Sequence, residues 1–178
     1  MKPLKKGMRW GLVALMLAAP VLVQATSPSV PPTLEQRVHH ELAMLPYYNV
    51  FDNLEFTVSG DSVTLAGAVT DPVLKSDAGN VVKRIAGVKT VTNEIEVLPL
   101  SPMDWQIRRA EVRAIYRYAA LGRYAMGAVP SIHIIVKNGH VTLDGVVDSE
   151  MDRNLAGIRA NGVSNVFSVT NRLVVGKS

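Results

Sequence analysis

The sequence predicts an α+β protein, a tandem repeat of two small αββαβ modules, each a mixed three-stranded sheet packed with two helices. Three observations carry this. The first is self-similarity: shifted by 78 residues, Val63-Thr64-Leu65-Ala66-Gly67-Ala68-Val69 falls on Val141-Thr142-Leu143-Asp144-Gly145-Val146-Val147, and Val91-Thr92-Asn93 on Val169-Thr170-Asn171. Residues 54–98 and 132–176 agree at 13 of 45 ungapped positions, where unrelated chains would agree at about three. The second is strand alternation around short turns, twice over. The third is a set of helix-start signals at matching places in each copy.

In the first copy, Thr33 and Gln36 form a capping box ahead of Leu34, Val38, Leu42 and Leu45 at helical spacing, and Pro46 closes the segment. Leu54, Phe56 and Val58 alternate, Gly60-Asp61 turns the chain, and Val63, Leu65 and Val69 alternate again. A second helix opens at Asp71-Pro72 with Leu74, Ala78, Val81, Val82 and Ile85 on one face, and Val91, Ile95 and Val97 mark one closing strand. The second copy starts with Ser101 as N-cap, Pro102 at the first helical position and Asp104 in the first turn. Its hairpin runs Ile132, Ile134, Val136, then Asn138-Gly139, then Val141, Leu143, Val147. Ser149 caps a helix with Met151, Leu155 and Ile158 as its apolar stripe, and Val169, Leu173 and Val175 close the sheet.

Ahead of both copies, Lys2, Lys5, Lys6 and Arg9 precede an apolar run from Trp10 to Val23, and Val23-Gln24-Ala25 offers small residues for cleavage. This reads as a signal peptide, 1–25, rather than an uncleaved anchor, because a polar Pro-rich leader, 26–32, follows instead of basic stop-transfer residues. The modules are then 33–99 and 100–178, and the expected location is the periplasm. The chain has no cysteine, which excludes a lipid-modified cysteine, a disulfide framework and thiolate-metal sites. Four of the 19 basic residues and none of the 15 acidic ones lie in the signal, so the remainder is neutral and its charge gives no reason to expect nucleic acid as a partner. The halves differ: residues 26–103 carry five basic and nine acidic groups, 104–178 ten and six. The second copy is the one suited to anionic surfaces.

The recurrent V-x-L-x-G-x-V and closing V-x-N-x-[IL]-x-V, carried by Val63, Leu65, Gly67, Val69, Gly87, Val88, Val91 and Asn93 and again by Val141, Leu143, Gly145, Val147, Val166, Val169 and Asn171, resemble the BON domain. The second copy departs at Asn165, where the first has Gly87. The resemblance implies a two-domain exported protein of the osmotically inducible kind, binding phospholipid and supporting the envelope under stress. Gly67 and Gly145 are expected where a helix or neighbouring backbone packs closely. The amides of Asn93 and Asn171 are expected to bond the loop between helix and strand, since an unpaired buried amide costs about 1 to 3 kcal/mol.

No constellation for catalysis is legible. The four histidines form no H-E-x-x-H pair, there is no G-x-S-x-G elbow and no Gly-rich phosphate loop. His39-His40-Glu41 are adjacent on a helix and point apart, so they cannot easily share an ion. No enzyme, cofactor or metal is expected. Function is sought where the copies differ: Thr33 to Leu54 takes 21 steps but Asp104 to Ile132 takes 28, leaving a longer helix or an inserted loop around Tyr118 to Val129. Arg109, Arg113 and Arg117 recur every four residues as a basic stripe, with Trp105, Val112, Ile115, Tyr116 and Ala119 as an apolar face. Tyr118, Leu121, Arg123, Tyr124 and Met126 follow, a mixture suited to a lipid headgroup boundary. Arg109, Arg113, Arg117, Tyr118, Arg123, Tyr124 and Met126 are therefore the candidate lipid-binding residues. The plain alternative is a solvated helix face with aromatics filling space between modules. The expected partner is an anionic phospholipid surface; a protein-interaction adaptor or holdase-like envelope stress protein is the other reading.

Overall fold

The Thr33 side chain accepts the Gln36 N–H while the Gln36 side chain accepts the Thr33 N–H, and helix α1 (Leu34–Ala43) starts there. The computed structural model describes residues 31–176; the signal-peptide reading lies outside the described residues. The first module continues with β1 (Asn53–Ser59), β2 (Ser62–Val69), α2 (Pro72–Lys83), β3 (Thr90–Asn93) and β4 (Glu96–Val97). The second has α3 (Pro102–Tyr116), a 3₁₀ turn at Gly122–Ala125, β5 (Ile132–Lys137), β6 (His140–Val147), α4 (Glu150–Asn161), β7 (Ser168–Asn171) and β8 (Val174–Val175). Asp71, Ser101 and Ser149 cap their helices through side-chain oxygens, with Pro72 and Pro102 in the first turn of theirs.

In each sheet the hairpin is antiparallel, with Phe56 opposite Leu65 and Ile134 opposite Leu143. The closing strand crosses back parallel to the second hairpin strand, Leu65 opposite Asn93 and Leu143 opposite Asn171. It comes in two pieces, so each sheet has four strand segments where three strands were expected. At the break Asn93 Oδ1 accepts the Ile95 N–H at 3.3 Å and Asn171 Oδ1 the Leu173 N–H at 3.2 Å, on the side of the strand away from the ladder, which runs through the N–H groups of Glu94 and Leu98 and of Arg172 and Gly176. The amide nitrogens donate to Lys75 O and Arg153 O at 2.8 and 2.7 Å, so the partners are a helix carbonyl and the strand's own backbone rather than the loop. A glycine faces each amide: a Cβ on Gly79 or Gly157 would stand 2.9 Å from the Asn93 or Asn171 nitrogen. Gly67 and Gly145 sit at φ +103° and +121°, and a Cβ there would meet the carbonyl oxygens of Asn53 and Ser131 at 2.2 and 2.0 Å. The close neighbour is strand backbone, not a helix.

Helices cover one face of each sheet over separate cores. Val38, Leu42, Val63, Leu65, Leu74, Val82 and Ile95 anchor the first; Ile107, Ile115, Leu121, Ile132, Ile134, Leu143 and Leu173 anchor the second. Two helix stripes differ from expectation. On α4, Met151 and Ile158 are 78% and 68% exposed, and the buried face is Asp152, Ala156, Gly157 and Ala160; Gly157 must approach Asn171, which leaves room only for small groups. On α3 the buried residues are Asp104, Ile107, Arg108, Glu111 and Ile115, while Trp105 and Ala119 are exposed. No helix among the described residues is long and apolar enough to cross a membrane.

The modules dock. Ile134 N–H on the outer edge of β5 donates to Val50 O at 2.7 Å, Val50 and Phe51 pack on the second core, and the Tyr48 ring stacks on His133 at 5.4 Å. Arg172 pairs with Glu55 at 2.5 Å and with Asp144 at 2.9 Å, and Lys137 with Glu96 at 2.5 Å. Leu98 and Ile135 are buried, belong to neither core, and line the cleft of about 460 Å³ between the helix-free faces.

Candidate functional site

The longer connection of the second module is both a longer helix and an inserted turn: α3 has 15 residues against 10 in α1, and Gly122–Ala125 follows. Arg109, Arg113 and Arg117 lie exposed along α3 and its C-cap, and among the described residues none of them is ion-paired or hydrogen-bonded through its guanidinium. Arg109 and Arg113, with Gln106 and Ala110, form one wall of a groove of about 480 Å³ whose other wall is Val163, Ser164 and Asn165, the turn after α4. Asn165 holds φ +69°, as Gly87 does with +96° in the first module.

The corresponding groove of the first module, about 630 Å³, is walled by Gln36, Arg37 and His40 of α1 and by Val81, Ile85 and Ala86. Its floor is apolar and Arg37 is tied down by donating to Ala86 O at 2.7 Å. The second groove thus carries two guanidinium groups on its helix, Arg109 and Arg113, unpaired among the described residues, whereas the first has its helix arginine, Arg37, tied down and places Glu41 in the same lining as the exposed Arg84.

The remaining candidates separate. Tyr118 is 41% exposed, and Arg159 of α4 lies over its ring at 5.2 Å while donating through Nε to Ala114 O at 3.1 Å. Arg159 belongs to the same basic face; its spacing on α4 gives no sequence signal, because only the packing of α4 on α3 brings it there. Met126 is 78% exposed at the end of the inserted turn. Tyr124 is withdrawn: it is 6% exposed, its hydroxyl accepts the Asp148 N–H at 2.8 Å and donates to Asp152 at 3.0 Å. Arg123 is spent on the same network, with Nε 3.0 Å from Asp148 and Nη2 2.7 Å from Asp152. The Ser149 hydroxyl bond, with the contacts of Tyr124 and Arg123, holds the Asp152 carboxyl below the usual range. Arg123 and Tyr124 therefore anchor the insertion instead of facing lipid.

Three ionisable side chains on α3, Asp104, Arg108 and Glu111, are buried, which the sequence pattern did not indicate. Asp104 accepts the N–H groups of Asn138 and Gly139 at 2.9 and 2.8 Å, clamping the β5–β6 turn. Arg108 donates to Val136 O at 2.7 Å and lies over Trp105 at 5.1 Å; burial lowers its pKa. Glu111 is fully buried with neither carboxyl oxygen hydrogen-bonded, and burial pushes it up to about 8. The carboxyl is therefore mostly neutral at pH 7.

Two αββαβ modules are joined across their helix-free faces, with an exposed basic helix on the second. The chain belongs to the BON domain family, whose model matches residues 32–99 and 108–177. BON domains are a non-catalytic, binding-type family associated with phospholipid. No curated protein matches the chain. Two solved structures of CdsD, a structural protein of the type III secretion system of Chlamydia trachomatis, are similar at 13% identity and TM-score 0.32; one is its C-terminal domain, covering 79% of this chain and 96% of that one, and the other covers 82% and 93%. At that score the likeness carries no argument about this chain.

Proposed function

We propose that this chain is exported to the periplasm and associates reversibly with anionic phospholipid surfaces through the outer face of α3, supporting the envelope under osmotic or related stress. The observation that carries the reading is the row Arg109, Arg113 and Arg117, exposed and without acidic partners among the described residues, beside the half-exposed Tyr118 and the exposed Met126. Guanidinium groups donate in a planar fork that matches phosphate oxygens, and an adjacent aromatic can rest at headgroup depth. Arg159 over Tyr118 extends the cationic face onto α4.

The test is sedimentation of residues 26–178 with neutral and anionic vesicles at low and moderate salt. Binding is expected only to anionic vesicles, to weaken with salt, and to be lost when Arg109, Arg113 and Arg117 become Ser. Binding that ignores both vesicle charge and those substitutions overturns the reading. One observation favours the adaptor alternative: Tyr47, Leu100 and Trp105, 75%, 87% and 38% exposed, line a groove of about 490 Å³ with Pro72 where the modules meet. A polypeptide held there would stay bound in salt and be released by Leu100→Asp.

A further inference from the structure

One histidine is enclosed by the joint itself. Ile132, Ile134 and Val136 of β5 point into the second core, so His133, Ile135 and Lys137, which alternate with them, lie on the helix-free face. What covers His133 there comes from the first module. The Tyr48 ring stacks on the imidazole at 5.4 Å with its hydroxyl 3.5 Å from Nε2, and Val50 O takes the neighbouring Ile134 N–H at 2.7 Å. Nδ1 is buried with no hydrogen-bond partner among the described residues. Because α3 and α4 pack on the opposite face of this sheet, the enclosure of His133 is a product of docking rather than of folding within the second module.

An imidazolium in this place finds every nearby carboxylate already engaged. The Asp52 oxygens accept the Asn49 N–H and the N–H and hydroxyl of Thr70, and the Asp52 charge also acts on Arg108 of α3. Asp144, opposite His133 on β6, pairs with Arg172, which also holds Glu55 of β1. A positive charge enclosed without a free counter-ion is costly. Burial accordingly lowers the pKa of His133, and the backbone of Asp52 and Asn49 and the Asp52 charge offset this only in part.

We propose that His133 is an acid-sensitive latch between the modules: neutral, it keeps Tyr48 stacked on β5 and the joint closed; protonated, it releases the Tyr48–Phe51 segment and uncovers Leu98 and Ile135. The direction follows from linkage. Undocked, the imidazole takes up its proton around the ordinary 6.5; docked, it does so only at lower pH. Docking is therefore at full strength above 6.5, weakens as pH falls below it, and loses no more once pH is under the docked value. Asp144 acts with the opposite sign, because burial raises its pKa and the docked state holds its proton more readily.

The Ile134 amide reports on the joint, because its acceptor, Val50 O, belongs to the other module. In residues 26–178 without lipid, hydrogen exchange corrected for its intrinsic pH dependence is expected to show Ile134 protection falling by about tenfold or more between pH 7.5 and pH 5, while the amides of the β6 ladder hold theirs. The fall should follow the titration of the His133 imidazole, read by NMR in the unaltered protein and expected below 6.5. His133→Phe keeps a stacked ring without the proton and should leave Ile134 equally protected at both pH values. Ile134 protection that does not change with pH in the unaltered protein, a fall that persists in His133→Phe, or a His133 that titrates at or above 6.5 overturns the inference.

Discussion

The two modules solve one packing problem with different chemistry. In the first, the N–H and hydroxyl of Thr70 at the end of β2 are accepted by the buried Asp52 carboxylate at 2.7 and 2.8 Å. In the second, the equivalent N–H, that of Asp148, goes to the Tyr124 hydroxyl, supplied by the insertion. Leu74, a core residue of α2, is replaced at the equivalent place by Asp152, which holds Tyr124 and Arg123. Where α1 buries Val38 one turn before Leu42, α3 buries Glu111 one turn before Ile115. The second module has exchanged apolar burial for polar anchoring, which secures a longer helix and turn at the cost of an unpaired buried carboxyl. The duplicated fold keeps Gly67/Gly145, Gly79/Gly157 and the Asn93/Asn171 brace and varies what sits between them.

The largest expected effect attacks what the modules share. Gly145→Ala puts a Cβ about 2 Å from Ser131 O at a positive φ, and should destabilise the second module by more than about 3 kcal/mol. Gly67→Ala should do the same to the first, and thermal unfolding followed by calorimetry would show whether the docked modules then melt apart.

Glu111 sharpens the difference. Its folded value of about 8 lies above its ordinary 4.5, so the folded state holds a proton that the unfolded chain releases. That contribution is complete below pH 4.5, declines as pH rises towards 8, and is lost above it. Glu111→Leu should flatten this dependence and raise stability at pH 7 by on the order of 3 kcal/mol, read from denaturant midpoints at pH 5, 7 and 8.5. A pH-independent wild type would sink the assignment.

Next comes the anchor. Tyr124→Phe leaves the Asp148 N–H without its acceptor and removes one of the three donors to Asp152 Oδ2, the others being Arg123 and Ser149, and should cost about 2 kcal/mol, with faster amide exchange in the inserted turn. The smallest effect is expected at the joint: Lys137→Ala removes a half-exposed pair with Glu96 and should cost under about 1 kcal/mol, vanishing in high salt. A larger loss there would mean that docking depends on the ion pairs rather than on Leu98, Ile135 and the Val50 bond.

Local chemistry wrote much of the fold legibly into the chain. Thr33, Asp71, Ser101 and Ser149 cap helices where their side chains could be read as caps, the hairpins turn at Gly60 and Asn138-Gly139, and the repeat locates both modules. These features depend on residues a few positions apart, and period and propensity report them directly. Tertiary structure alone decided which helix faces point inward, because Gly157 against Asn171 and Asp152 against Tyr124 outrank the hydrophobicity of Met151 and Ile158. It also decided that Arg109, Arg113 and Arg117 stay exposed while Arg108 and Arg123 are consumed, and that Ile134 meets Val50 across the joint. Whether an arginine is free depends on which carbonyls and carboxylates distant segments bring within 3 Å, and no periodicity in the sequence carries that information.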